Sequence, residues 1–275
     1  DPRTAQAAAA AVQPSRHAGG APVRLAADQV DAVTGIATSA RRIDVLVGPA
    51  GTGKTTTLRA LRSAWEAEHG PGSVIGLAPS ASAAHELGDA LGVPCENTAK
   101  WLHETTGPGG AQRTAARDEL EGRRAASVTT DDHRGVRRAD AALHRLDAQD
   151  QRWTLRPGTL VIVDEASLAG TLALDQLADQ ATRAGAKLLL VGDHHQLGAV
   201  DAGGAFGLLA TTGSAHHLRS LWRFSRRWEA HATRALRDGH PGVIATYDRH
   251  GRIHEAGSAQ ILEDAYTAWQ THVNS

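Results

Sequence analysis

Methionine is absent from all 275 residues, position 1 included. A chain without an initiator residue reads as an excised piece of a longer protein. Cysteine occurs once, at Cys95, which excludes an intrachain disulfide and a cysteine-built metal centre. No His or Asp is placed by sequence to activate it, so it reads as a small packed side chain. Lysine occurs three times (Lys54, Lys100, Lys187), which leaves arginine as nearly all the positive charge. The available cations are therefore mostly planar forks suited to phosphate. The formal net charge is −1, so no global basic character announces nucleic acid, and any such surface has to be local. No apolar run approaches the ~18 residues that would span a bilayer. No period of self-similarity exists, which removes repeat architectures.

Against this background one stretch stands out. Ile43–Val47 is a short aliphatic run with the pattern of a buried parallel strand. It leads directly into Gly48, Pro49, Ala50, Gly51, Thr52, Gly53, Lys54 and Thr55, a G-x-x-x-x-G-K-[ST] phosphate-binding loop. The glycines let the backbone wrap an anion with its N–H groups inward. Thr55 and Thr56 then open a helix whose positive end faces the same anion. Lys54 reaches the β- and γ-phosphates, and the Thr55 hydroxyl is placed for Mg2+. ATP with Mg2+ is the expected cofactor.

Other blocks follow in order. Leu25 to Ile36 carries a helical register, with Asp28 near its start. Leu58, Leu61 and Trp65 form a core stripe after the loop. Val74–Ala78 is a second buried strand, ending at Pro79-Ser80. That junction is either an ordinary helix cap or a set of donors for an anion. Thr98 to Glu104 reads as a short amphipathic helix. From Thr105 to Pro157 the apolar signal collapses into ten arginines against eight acids. That mixture is a solvated helical face, a mobile insertion or a basic wedge against nucleic acid. Residues 139–150 read as a helix with Leu143 and Leu146 inward. Leu160–Val163 is a third strand with Asp164 and Glu165 at its carboxyl end, where open α/β sheets place ligands. Asp164 can hold Mg2+ and Glu165 can orient the attacking water. Lys187–Val191 is a fourth strand, and Gln196 leaves the same sheet edge. Adjacent His194 and His195 cannot easily converge on one ion, so a metal site there is rejected. Arg223 is a structural arginine, a phosphate contact or an arginine finger. A last helix is expected over 258–270 with Ile261, Leu262, Ala265 and Trp269 inward.

Together these blocks resemble the superfamily 1 DNA helicases, in particular the RecD-like branch found in conjugative relaxase-helicases of the TraA/TraI type. Asp28-Gln29 resembles the adenine-reading block, Gly48–Thr55 the phosphate loop and Val161–Ser167 (VIVDEAS) the DEA-type acidic block. Gly192-Asp193 with Gln196-Leu197 resembles the GDxxQL sensor block, and Arg223 falls at the fourth motif. The resemblance implies an α/β fold: a RecA-like P-loop NTPase, mostly parallel sheet flanked by helices. It implies a linker or upstream tail over 1–22 and a first RecA-like domain over 23–215, with 105–157 as a charged insertion. Residues 216–275 would begin an incomplete second RecA-like domain. Gln29 would read adenine, Lys54 and the loop would hold phosphate, and Thr55 and Asp164 would hold Mg2+. Glu165 would activate water, Gln196 would sense the γ-phosphate, and Arg223 would stabilise the transition state. Pro79, Ser80 and Thr98 would contact single-stranded DNA.

The expected activity is an ATP-driven DNA translocase in conjugative transfer, cytoplasmic, with 5′→3′ polarity. Turnover by this stretch alone is expected to be weak, because the last helicase motifs are absent from it. Its partners would be single-stranded DNA, an upstream relaxase domain and the rest of the second RecA-like domain. Tyr247 and Tyr266 lack the setting of a relaxase nucleophile. A RecD-like repair helicase and a nucleotide-dependent DNA-binding module without translocation are the competing readings.

Overall fold

The structure is a computed structural model that describes residues 24–196, 204–212, 215–222, 224 and 226–273. The chain divides into two compact units, residues 1–220 and 221–275.

The first unit is built on a six-stranded, all-parallel sheet. Its strands are β1 (Ile43–Val47), β2 (Val74–Ala78), β3 (Cys95–Asn97), β4 (Leu160–Val163), β5 (Lys187–Gly192) and β6 (His216–His217). Their spatial order is β3-β2-β4-β5-β1-β6. Helix α1 (Ala27–Thr38) precedes β1; parallel strands need crossovers, and the helices that supply them are α2 (Lys54–His69), α3 (Ala81–Leu91), α4 (Thr98–Thr105), α5 (Pro108–Thr129), α6 (His133–Arg152), α7 (Thr171–Ala184) and α8 (Ala205–Thr212).

The strands lack the polar alternation of a half-exposed sheet because both faces are covered. Period two still sorts their side chains. Leu46, Leu160, Ile162, Leu189 and Val191 join Val33, Ile36, Leu58, Leu61 and Trp65 from α1 and α2 on one face. Val45, Val47, Val161, Val163, Leu188 and Leu190 join Trp101, Leu174, Leu177 and Phe206 on the other. Trp65 is core, and its indole N–H donates to the Gly158 carbonyl at 2.8 Å.

Register between β1 and β5 is anchored by charge. Asp44 and Lys187 are both buried and lie 2.7 Å apart, with Arg41 also on Asp44 at 2.9 Å. Burial lowers the Lys187 pKa, and the Asp44 partner opposes that shift. Slipping the strands would leave a buried charge unpaired, which is strongly unfavourable.

The charged insertion is ordered. α5 and α6 form an antiparallel helical hairpin that leaves the sheet after α4 and returns before β4. Leu146 is buried in its seam as expected, whereas Leu143 is only half-buried. The expected boundary at 215/216 moves to 220/221, because His216–His217 pair with Leu46–Val47 and so belong to the first sheet.

The second unit holds α9 (Arg227–Arg237), α10 (Ile244–Arg249) and α11 (Ser258–Val273). Trp228 stacks on His250 with ring centres 3.7 Å apart and meets Tyr247 edge-on. The expected helix over 258–270 is there and longer, but its apolar residues are not inward. Leu262 is 72% and Trp269 58% exposed, because the helix packs its stripe against nothing among the described residues.

Candidate nucleotide site

Every strand of the first unit runs in the same direction, so the loops after β1, β2, β4 and β5 open at one edge of the sheet. The loop after β1 is held by its own backbone and by its neighbour strand. Gly48 N–H donates to the Gly192 carbonyl at 3.0 Å, which ties the loop to the end of β5. Thr52, fully buried, donates its hydroxyl to the Pro49 carbonyl at 2.8 Å. Gly51 and Gly53 take φ values of 83° and 79°, which only glycine adopts without strain. Gly53 is the residue from which α2 starts, so the helix N–H groups open into the turn. Lys54 bends back and donates to the Gly48 carbonyl at 2.8 Å, keeping its charge on the loop. Thr55 is exposed at the first turn of α2, and Thr57 is buried with its hydroxyl on the Gly53 carbonyl at 3.1 Å.

Across this loop stand Asp164 and Glu165. Asp164 N–H donates to the Leu77 carbonyl at 2.9 Å, and its carboxylate accepts the Glu165 N–H at 3.0 Å. Burial raises the Asp164 pKa, against the opposing pull of that hydrogen bond and of the Lys54 charge. A desolvated carboxylate at the same sheet edge as an exposed threonine and a phosphate loop fits Mg2+, a hard cation that takes few protein oxygens plus substrate phosphates. Among the described residues no cluster of three His, Cys, Asp or Glu forms a metal cage. Thr55 and Asp164 are the residues that would hold the ion.

Glu165 has φ of 52°, left-handed for a residue with a side chain, at a cost of about 1–2 kcal/mol. Strain of this kind concentrates at functional positions. Asp164 and Glu165 line a cavity of about 220 Å3 with Pro79, Thr98 and Leu102. At the end of β5, Asp193 is buried and its carboxylate accepts the His195 N–H at 3.1 Å. Its carbonyl takes the Gln196 N–H at 3.1 Å, and this turn leaves the Gln196 side chain exposed. Arg223 lies outside the described residues.

Two expected roles meet a different geometry. Gln29 is 2% exposed and both ends of its amide are occupied. Its Oε1 accepts the Ala26 N–H at 2.9 Å, and its Nε2 donates to the Thr52 and Gly53 carbonyls at 3.2 and 3.3 Å. Bidentate pairing with adenine needs the same two atoms, so the amide braces the loop instead. Thr98 is buried and donates its hydroxyl to the Ala78 carbonyl at 3.1 Å, which leaves it no proton for a DNA phosphate. Ser80 is a helix cap, accepting the Ala83 N–H at 3.1 Å, with Ser82 on the same hydroxyl. Pro79 lines the cavity and takes an Asn97 amide on its carbonyl.

Asp28, expected as an acid at the helix start and as part of the adenine-reading block, finds partners far along the chain. The Asp28 carboxylate accepts the Arg219 and Ser220 N–H groups at 2.6 and 2.8 Å and the Ser220 hydroxyl at 3.1 Å. Partial burial raises its pKa, but these bonds and the Gln29 N–H outweigh that and set it below the ordinary carboxylate range. A separation of 191 residues left no local signal for this clasp.

The model of a family described as AAA domain matches residues 24–258, spanning the sheet, the loop and the acidic pair. The chain belongs to this AAA domain family. It is a nucleotide-binding domain of the P-loop NTPase class. Similar full-length proteins include a probable conjugal transfer protein TraA of Sinorhizobium fredii, 28% identical over 93% of this chain. Conjugal transfer proteins TraA of Rhizobium radiobacter and Agrobacterium fabrum are each 28% identical over 90% of it. The chain spans under a fifth of those relatives, 19% in the first and 18% in the other two. No helix among the described residues is long and apolar enough to cross a membrane.

Proposed function

We propose that this chain is the ATP-hydrolysing part of a superfamily 1 DNA translocase of the RecD-like kind, working in conjugative DNA transfer. One observation carries the reading: a phosphate loop with its lysine and a half-buried Asp-Glu pair at the same edge of one parallel sheet, with the lysine's field acting on the aspartate. The printed role of the similar TraA proteins supports the conjugative setting.

Phosphoryl transfer needs positioning and charge stabilisation more than covalent help. The loop amides and Lys54 hold the phosphates. Mg2+, when bound through Thr55 and Asp164, supplies charge neutralisation. Glu165 orients and deprotonates the attacking water from the end of β4. Gln196 senses the γ-phosphate from the turn after β5, and Arg223 supplies the positive charge for the transition state.

Lys54→Ala is expected to lower turnover by on the order of 10²–10³, the usual consequence of removing one dedicated stabilising donor. Glu165→Gln is expected to lose turnover while still binding a fluorescent ATP analogue. Phosphate release with and without single-stranded DNA is the assay. Turnover at the wild-type rate in both variants overturns the hydrolysis. An absence of DNA stimulation in the longest active form of the protein overturns the translocase.

A further inference from the structure

The helical hairpin separates its charges by face. Arg113 on α5 pairs with Asp150 at 2.7 Å, and Arg117 pairs with Asp147 and Asp150 at 2.6 and 3.0 Å. Arg124 pairs with Asp140 at 2.6 Å. These three aspartates are all the acids within α6, and each is consumed in the seam by an arginine of α5. Arg113 is also clamped to Glu104, which roots the hairpin on α4. Asp132 caps α6 through the Arg134 and Gly135 N–H groups.

What is left on the outside of α6 is cationic. Arg134, Arg137, Arg138 and Arg145 are exposed and hold no ion pair among the described residues. At about 100° per residue, Arg134, Arg138, Arg145 and Arg152 fall within roughly 40° of one line along the helix, with Arg137 about 60° to one side. Ala139 and Leu146, the buried seam residues, fall on the opposite side. Exposed Ala141 and Ala148 lie between the arginines, so the row is low and unobstructed. It runs about 27 Å from Arg134 to Arg152. Arg152 closes the row over the Trp153 ring, 5.1 Å from its centre, with a longer contact to Glu96 at 3.3 Å. The exposed residues of α5 are of mixed sign: Asp118, Glu119 and Glu121 stand with Arg123, which pairs with Glu119 at 2.5 Å, and Arg124, which pairs with Asp140.

We propose that the outward face of α6 binds the sugar–phosphate backbone of single-stranded DNA. A single file of guanidinium groups at one- and two-turn intervals fits one extended polyanion rather than a compact anion. Every cation in it is arginine, the fork that grips phosphate oxygens in pairs. The choice of DNA as the polyanion rests on the translocase reading above. The hairpin would thus hold the strand at a surface separate from the nucleotide loop.

The test uses the whole 275-residue chain and a fluorescein-labelled oligothymidylate, read by anisotropy over a range of salt. R134Q/R138Q/R145Q removes the charge while keeping an unbranched polar side chain and helix propensity. It is expected to weaken binding by about tenfold or more and to lower the slope of log affinity against log salt by about 2, close to 0.7 per lost phosphate contact. R123Q/R183Q, two exposed arginines elsewhere, is expected to leave both unchanged. Affinity for a fluorescent ATP analogue should be the same in all three proteins. An unaltered affinity and salt slope in the triple variant overturns the proposal. So does a loss confined to duplex DNA or to phosphatidylserine vesicles. If the triple variant binds normally while wild-type turnover is DNA-stimulated, the face falls and the translocase stands. If oligonucleotide binding depends on the arginines but DNA never stimulates turnover, the translocase falls and the face stands.

Discussion

Two neighbouring side chains at the start of α1 hold segments that are far apart in the chain. Gln29 supports the carbonyls of Thr52 and Gly53, and Asp28 clasps the amides of Arg219 and Ser220, where the first unit ends. Because Gln29 touches the loop from behind, Gln29→Ala is expected to weaken ATP, GTP and inorganic tripolyphosphate alike, by about 3- to 10-fold for the loss of roughly one net hydrogen bond. An adenine reader would instead lose ATP selectively, so the ratio of ATP to GTP affinity decides between the two roles. Asp28 is lowered in the folded state, so its stabilisation is present above the ordinary carboxylate value of about 3.9 and is lost as pH falls through its folded value. Asp28→Asn should therefore flatten the acid limb of a stability–pH curve and lower stability at neutral pH. Asp164 carries the opposite sign: its raised folded value makes ionisation cost stability as pH rises through it, a cost that a bound cation removes. The lone thiol is inert for the same reason of burial, which pushes Cys95 up to about 11. Alkylation at neutral pH should be far slower than for a free cysteine.

At the scale of elements, β2 and β3 are paired neighbours, and the Cys95 side chain fills the space that Gly76 leaves open. A Cβ at Gly76 would collide with the Cys95 sulfur and with Leu87. Gly76→Ala is expected to lower unfolding free energy by about 1–3 kcal/mol, the usual range for overpacking. Adding Cys95→Ala should restore part of it, read as the urea midpoint of single and double variants. The helical hairpin shows why mixed charge is a poor guide to order. Its arginines and acids read as a solvated or mobile stretch, yet the cross-helix pairs of Arg113, Arg117 and Arg124 consume all three acids of α6 and give it a defined seam.

For the whole molecule, both apolar clusters lie at or before Leu218, so the first unit owns the core. A fragment of residues 24–220 is expected to unfold cooperatively and to bind a fluorescent ATP analogue about as well as the 275-residue chain. In the second unit, among the described residues, the buried apolar side chains are Ala232 and Val243. An isolated 221–275 peptide should show helical circular dichroism without a cooperative melt, because so short a chain with so little burial cannot offset its ordering entropy. A sharp sigmoidal transition would contradict that.

Much of the site was legible because its signals are local. A phosphate loop needs glycine at Gly51 and Gly53 for backbone reasons alone, and the β4 run ending in Asp164-Glu165 marks the edge of a buried strand. The period-two sorting of Leu46 from Val45 and Val47 onto opposite faces follows from strand geometry. What residue order could not express was occupancy. Whether the Gln29 amide faces a base or the loop, whether the Thr98 hydroxyl faces DNA or Ala78, and where Asp28 finds its partners all depend on backbone brought close by folding. The same holds for the arginine face of α6. The sequence alone determined that the insertion is charged; the packing of α5 against α6 decided which charges are neutralised in the seam and which stand in solvent, because ion pairing acts between helices and not along the chain.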